Sequence, residues 1–248
     1  MKPIVLMYHC VFDKTQRETG FQNKTAFKYK ISVINFEDQV KIISCYLDKN
    51  NLSKESVVFT FDDGGVSSYN LIMPILDKYH LKGIFFIATK FIGTSGFLSE
   101  MQIADINAKG HVVGSHSNSH PKKMIDLPHE ELINEWTISC QILSDIINSD
   151  VSVASIPNGY ISKRVTDAMQ ICGLTRIYTS EPTTKIKQLK KAVVIGRYAI
   201  TNNMTTEQVL DIVQSKRRRA WIIFRNDILH ITKILLGDRY QHIKEILS

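Results

Sequence analysis

Short apolar runs alternate with amphipathic helical stretches along most of this 248-residue chain. That alternation predicts an α/β protein, an irregular (β/α)7 barrel of parallel strands with helices outside. Two further observations support it. Chemistry-bearing residues sit just past the ends of several apolar runs, as they do at the mouth of a barrel. No Pro/Gly/Ser-rich linker, repeat or low-complexity tract divides the chain. At 44% hydrophobic and 22% charged residues the composition is that of an ordinary globular protein, and no apolar run reaches the roughly 18 residues of a transmembrane helix. The expected organisation is a barrel over residues 1–205 and basic amphipathic helices over 206–248 packed on it.

The strands are expected at 4–8, 57–61, 83–88, 111–115, 151–155, 175–179 and 193–199, each a run rich in Val, Ile, Phe or Tyr. Helices are expected between them at 35–49, 67–80, 99–109, 128–147 and 162–172. Ser99 before Glu100 and Ser162 ahead of an apolar-periodic run are start signals. In a parallel barrel the residues that follow the first, second, fourth and fifth strands share one mouth.

Those residues carry the chemistry. The second strand, Val57-Val58-Phe59-Thr60-Phe61, stops at Asp62-Asp63, and Gly64-Gly65 breaks the chain. Two adjacent carboxylates projected from a buried strand need a cation or a proton to compensate them. The fourth strand ends at His116-Ser117-Asn118-Ser119-His120. Histidines four apart can aim both imidazoles at one point, from a helical turn or from a tight turn of similar geometry. Two histidines and one carboxylate leave positions open for water and substrate, which marks a catalytic metal rather than a structural one.

Thr60-Phe61-Asp62-Asp63-Gly64, Gly114-Ser115-His116-Ser117-Asn118-Ser119-His120 and Pro157-Asn158-Gly159-Tyr160 together resemble the signature of the polysaccharide deacetylases, in particular the permuted poly-N-acetylglucosamine deacetylase branch. Met73-Pro74-Ile75-Leu76, Gly83-Ile84-Phe85-Phe86-Ile87 and the opening Leu6-Met7-Tyr8-His9 agree with it, so the likeness covers about residues 3–200. The resemblance implies a distorted barrel and a metal-dependent hydrolase removing N-acetyl groups from sugars of a glycan or glycan precursor. It implies Asp63, His116 and His120 as metal ligands, Asp62 as general base, the Asn158 backbone N–H as oxyanion donor and Tyr160 as a candidate substrate contact. His9 matches the Tyr-His of permuted members and is the candidate general acid, since no late Leu-x-Leu-His motif is present. Zinc is the expected ion; cobalt, nickel or iron suit the same ligands.

There are departures. The family often has an arginine just before the third motif to orient the catalytic carboxylate, and here that stretch reads Val153-Ala154-Ser155-Ile156-Pro157. Asn158 stands where a tyrosine is familiar. The missing arginine favours an alternative reading, a catalytically impaired glycan-binding barrel; another amide or ester hydrolase on the same metal site is a further alternative.

Net charge is +7, concentrated toward the end in Lys216-Arg217-Arg218-Arg219, Arg225, Lys233, Arg239 and Lys244, among apolar partners that include Trp221, Ile222 and Phe224. A solvated helix face is the plain reading; peripheral contact with an anionic membrane is the alternative, ahead of nucleic acid. Cys10, Cys45, Cys140 and Cys172 have no metal-binding spacing and read as buried small hydrophobes in a reducing compartment. An N-terminus that enters a strand at once fits a cytoplasmic protein, with export the alternative if a leader was removed. Trp136 is expected in the core and His111 in a structural role. His80, His129, His230 and His242 are expected on helix faces or caps.

Overall fold

The computed structural model describes residues 2–236. Its strands are β1 (Ile4–Tyr8), β2 (Val11–Phe12), β3 (Ile31–Ser32), β4 (Val57–Phe61), β5 (Gly83–Ile87), β6 (Val112–Ser115), β7 (Val153–Ser155), β8 (Arg176–Tyr178), β9 (Ile186–Gln188), β10 (Val193–Ile195) and β11 (Tyr198–Ala199). Its α-helices are α1 (Lys24–Phe27), α2 (Val33–Lys49), α3 (Met73–Lys78), α4 (Glu100–Ala108), α5 (His129–Ile147), α6 (Lys163–Ile171), α7 (Thr206–Gln214) and α8 (Lys216–Leu236). The main sheet runs β11-β1-β4-β5-β6-β7-β8-β10-β9. Every pairing in it is parallel except β9 with β10. Parallel strands with helical crossovers are buried on both faces, which is why β1 and β5 are apolar and buried throughout.

The seam of the barrel is the informative part. Sequence predicts one strand over 193–199; the structure splits it at Gly196-Arg197. The first half, β10, pairs with β8, and the second half, β11, pairs with β1. One kinked segment thereby carries the sheet round from its last strand to its first, completing seven strand positions. The kink needs a glycine: a Cβ on Gly196 would lie 2.4 Å from the Glu181 carbonyl oxygen. The other departure is in the expected helix 67–80, which opens as a π-helical turn at Ser68–Ile72 before α3. Pro74 has no N–H to donate and its ring crowds the carbonyl of Asn70, so a regular α-turn is disfavoured there.

Among the described residues three apolar clusters hold the layers. Phe36, Phe59, Phe61, Phe85 and Tyr8 pack between α2 and the sheet, with Phe61 stacked on Phe85 at 5.0 Å and on Tyr8 at 5.7 Å. The buried Tyr8 hydroxyl donates to Gln39 Oε1 at 3.0 Å, so its polar atom is satisfied. Trp136 is fully buried on α5 with Leu132, Val165 and Met169, a core residue as expected. His111 Nδ1 accepts from Gly83 N at 3.0 Å, a structural role. Among the described residues the four cysteines are free, but only Cys10 is buried: Cys140 and Cys172 are half-buried and Cys45 is exposed, on the solvent face of α2 with Asp38, Lys41 and Asp48, which corrects the expectation of four buried thiols.

After β11 the chain forms α7, which packs on α2. Arg219 of α8 donates through Nη1 to the Ile212 and Val213 carbonyls at 2.6 and 2.8 Å, a cation placed on the last carbonyls of α7. Ile222 packs against the main core cluster. Residues 237–248, with His242, and the side chain of His230 lie outside the described residues. No helix among the described residues is long and apolar enough to cross a membrane.

Candidate metal centre and active-site cleft

Three strand ends build the site. Asp62 and Asp63 follow β4, His116 follows β6, and Ser155 ends β7. The loops that turn these side chains inward use unusual backbone. Asp63, Ser117, His120 and Asn158 all have positive φ, four of the seven non-glycine residues that do so among the described residues. Such conformations store strain and gather at functional sites. The His116–His120 segment is therefore a tight turn and not a helical one. Its internal bonds fix it: Ser117 Oγ accepts from His120 N at 3.2 Å, and Glu135 of α5 accepts from Ser119 N at 2.8 Å and Ser119 Oγ at 2.6 Å.

Asp63, His116 and His120 converge. One ligand atom from each lies within 4.8 Å of the others. Asp63 Oδ1 is 3.5 Å from Nε2 of His116 and 3.5 Å from Nε2 of His120. His116 Nδ1 lies 2.9 Å from the Ser155 carbonyl oxygen, so its N–H is directed there and Nε2 presents a lone pair to the site. Burial pushes the His120 imidazole down to about 4, keeping it neutral as a ligand must be. Burial would lower the His116 imidazole as well, but Asp62 and Asp63 beside it outweigh burial and raise it. A carboxylate and two imidazole nitrogens on one side of a cleft fit a divalent cation with open coordination positions.

Asp62 is held differently. Arg197, from the split between β10 and β11, donates Nη1 to Asp62 Oδ1 and Nη2 to Oδ2, both at 2.7 Å. Ser155 Oγ donates to Oδ1 at 3.1 Å. The guanidinium is itself buried and fully engaged: Nε donates to the Thr179 carbonyl at 3.0 Å and Nη1 to Thr60 Oγ1 at 3.1 Å. Burial pushes the Asp62 carboxyl up, but the Arg197 charge beside it outweighs burial and holds it well below the usual carboxylate range. The arginine missing before the third motif is replaced in space by one from elsewhere in the chain. The stretch before the third motif supplies Ser155, and the guanidinium comes from the seam strand. The sequence does hold one signal for it: an arginine inside the apolar run 193–199 must find a buried anion. Ser155 and Glu135 carry no signal of their own.

The two adjacent acids therefore have separate compensation, an arginine for Asp62 and the histidine pair for Asp63. Asp62 Oδ2 is 4.0 Å from His116 Nε2, close enough for the acid to serve a molecule bound at the ligand cluster. A cavity of about 320 Å³ opens over them, within the range of small-ligand sites. His9, Asn158 and Tyr160 all line it. The His9 ring stacks on Tyr29 at 4.5 Å, and its buried Nδ1 makes no hydrogen bond among the described residues. Burial lowers the His9 pKa, opposed by Asp63 and Asp62. Asn158 Nδ2 donates to the Pro121 carbonyl at 3.4 Å, tying the third motif to the turn that carries His120.

Comparison with known proteins decides the family. Residues 49–177, just over half of the chain, match the polysaccharide deacetylase domain. The chain belongs to the polysaccharide deacetylase family. The matched region contains Asp62, Asp63, His116, His120 and Asn158, and leaves out His9 and Arg197. The Bacillus subtilis (strain 168) protein YxkH, named for the same family, is 27% identical over 130 residues, 52% of this chain and 46% of that protein. The chain thus matches about half the length of the curated relatives. Among solved structures, the polysaccharide deacetylase BC0361 of Bacillus cereus aligns with TM-score 0.72 at 20% identity, over 86% of this chain and 69% of that one. The Streptococcus pyogenes deacetylase PplD, solved with acetate, aligns with TM-score 0.67 at 20% identity, over 86% and 99%. IcaB of Ammonifex degensii gives 0.68 at 21%, over 86% and 97%. At these identities the structural likeness speaks for the distorted barrel.

Proposed function

We propose that the chain is a metal-dependent N-deacetylase acting on an N-acetylated sugar of a glycan or glycan precursor. The observation that carries this reading is the division of labour between the adjacent acids: Asp63 faces two imidazoles and Asp62 is clamped by Arg197. A structural metal site has no use for a second, separately oriented carboxylate beside its ligands. Zinc is the favoured ion for this ligand set, with cobalt, nickel or iron compatible. A divalent cation held by Asp63, His116 and His120 supplies Lewis acidity toward the acetyl carbonyl and toward water, whose pKa falls from near 16 toward about 7.

The chain's own groups do the rest. Arg197 and Ser155 occupy Asp62 Oδ1, and Arg197 alone occupies Oδ2, so Oδ2 keeps a lone pair for the proton of the attacking water. The carboxylate is ionised at neutral pH and needs no reorganisation to act as base. The Asn158 backbone N–H is the donor assigned to the developing oxyanion. His9 is assigned the proton that the leaving nitrogen requires, because an amine departs poorly as an anion. Tyr29, Phe21 and Tyr160 give the cavity aromatic walls suited to a sugar face. Arg197 supports an active enzyme over an impaired glycan-binding barrel, because Asp62 is oriented without an arginine in the third motif. The direct test is acetate release from N-acetylated chitooligosaccharides after chelation and after zinc is returned. Release that depends on added metal supports the reading; binding of the oligomer without any release under either condition overturns it.

A further inference from the structure

Among the described residues, the helix α8 turns one apolar face to the barrel and exposes two aromatic rings on another. Arg219 is buried, and Ile222 packs into the main core cluster beside it. At about 100° per residue, Trp221 and Phe224 lie about 60° apart on the opposite side. They are 54% and 55% exposed, and their rings lie 5.9 Å apart, so they form one patch and not scattered residues. The two hydrogen bonds from Arg219 to the end of α7 hold the helix so that this patch faces outward.

The charges around the patch are mostly positive. Lys216, Arg217 and Arg225 are exposed beside it, and Asp227 is the single acid between Lys216 and Leu236. Self-association through this face would bring the same cations together on a chain already carrying +7. Nucleic acid would meet the cations but leave two exposed aromatics against water. A bilayer surface rich in anionic lipid satisfies both, phosphates taking the arginines and the interface taking the indole and phenyl rings. We propose that α8 docks the protein on an anionic membrane surface, lying in the interface with Trp221 and Phe224 inserted. The helix does not qualify as a span, so the contact is peripheral.

The test uses the full chain with vesicles of phosphatidylcholine alone or mixed equally with phosphatidylglycerol. Partitioning onto the anionic vesicles should exceed that onto neutral ones by roughly tenfold at about 0.1 M salt, and fall steeply by about 1 M. Brominated acyl chains should quench Trp221, while the fully buried Trp136 stays as an internal reference. Trp221→Ser/Phe224→Ser should abolish sedimentation with vesicles. Arg217→Ser/Arg225→Ser should weaken it on the order of tenfold, leaving the apolar patch intact. The quenching of the unmodified protein stands whether or not a variant folds. Absence of binding at low salt, equal binding to both vesicles, binding without quenching, or a dimer that Trp221→Ser/Phe224→Ser disperses would each overturn the proposal.

Discussion

Replacing Arg197 with Met should be among the most damaging single changes in this barrel, and the structure says why and by how much. The side chain is 1% exposed, and it makes two 2.7 Å bonds to Asp62 and one bond each to Thr179 and Thr60. Methionine approximates its volume but returns none of these donors. Asp62, 3% exposed, would be left as a buried carboxylate with Ser155 as its only side-chain hydrogen-bond donor among the described residues. Breaking a buried ion pair from one side costs about 3–5 kcal/mol, because the remaining charge is uncompensated. For a chain of this length 1 kcal/mol is worth about 2–4 °C, so the melting temperature of chelated protein should fall by roughly 6–20 °C. The double change Arg197→Met/Asp62→Asn removes both charges and should recover a large part of that loss, since contacting residues do not add. Activity should not recover, because the base is gone. Urea denaturation in chelator, with acetate release measured in parallel, reads both quantities. A loss below about 1 kcal/mol for Arg197→Met, or a double change no more stable than the single one, would refute the reasoning that Arg197 is the counter-charge of Asp62.

Asp62→Asn alone should keep bound metal and lose acetate release by about 10²-fold or more; an active, metal-loaded variant would remove Asp62 from its role. His116→Ala or His120→Ala should each strip stoichiometric metal by elemental analysis, and unchanged metal content would show the ligands misassigned. His9→Ala should retain metal and fold while losing amide turnover. An aryl acetate, which needs no proton on its leaving group, should suffer far less, and equal losses on both substrates would assign His9 to orientation instead.

Much of the barrel and of its site is legible in the sequence. The strand 57–61 lies at the bounds its apolar run predicts, because Val-Val-Phe-Thr-Phe is followed by two acids and two glycines. Asp62, Asp63, His116 and His120 stand out because acids and histidines just past buried strands have few structural uses. The seam is harder to read. Sequence places Arg197 within a strand, but parallel pairing to two different neighbours is a long-range property that no local window holds. The family pattern puts an orienting arginine next to Pro157 in sequence, whereas the barrel closes a distance of some forty residues and supplies it in space. Ser155 and Glu135 act through a few hydrogen bonds each, and serine or glutamate in those surroundings is ordinary as sequence. The spacing of His116 and His120 is compatible with a helical or a tight turn, and positive φ at Ser117 and His120 decides for the tight one.

The whole reading depends on one divalent ion sitting among Asp63, His116 and His120 with Asp62 free beside it. A crystal grown with zinc and measured at the zinc absorption edge tests that directly. A single anomalous peak is expected about 2.0–2.2 Å from Asp63 Oδ1, His116 Nε2 and His120 Nε2, with Asp62 still bonded to Arg197. A peak ligated by Asp62, a peak elsewhere on the chain, or no peak at saturating zinc would contradict it.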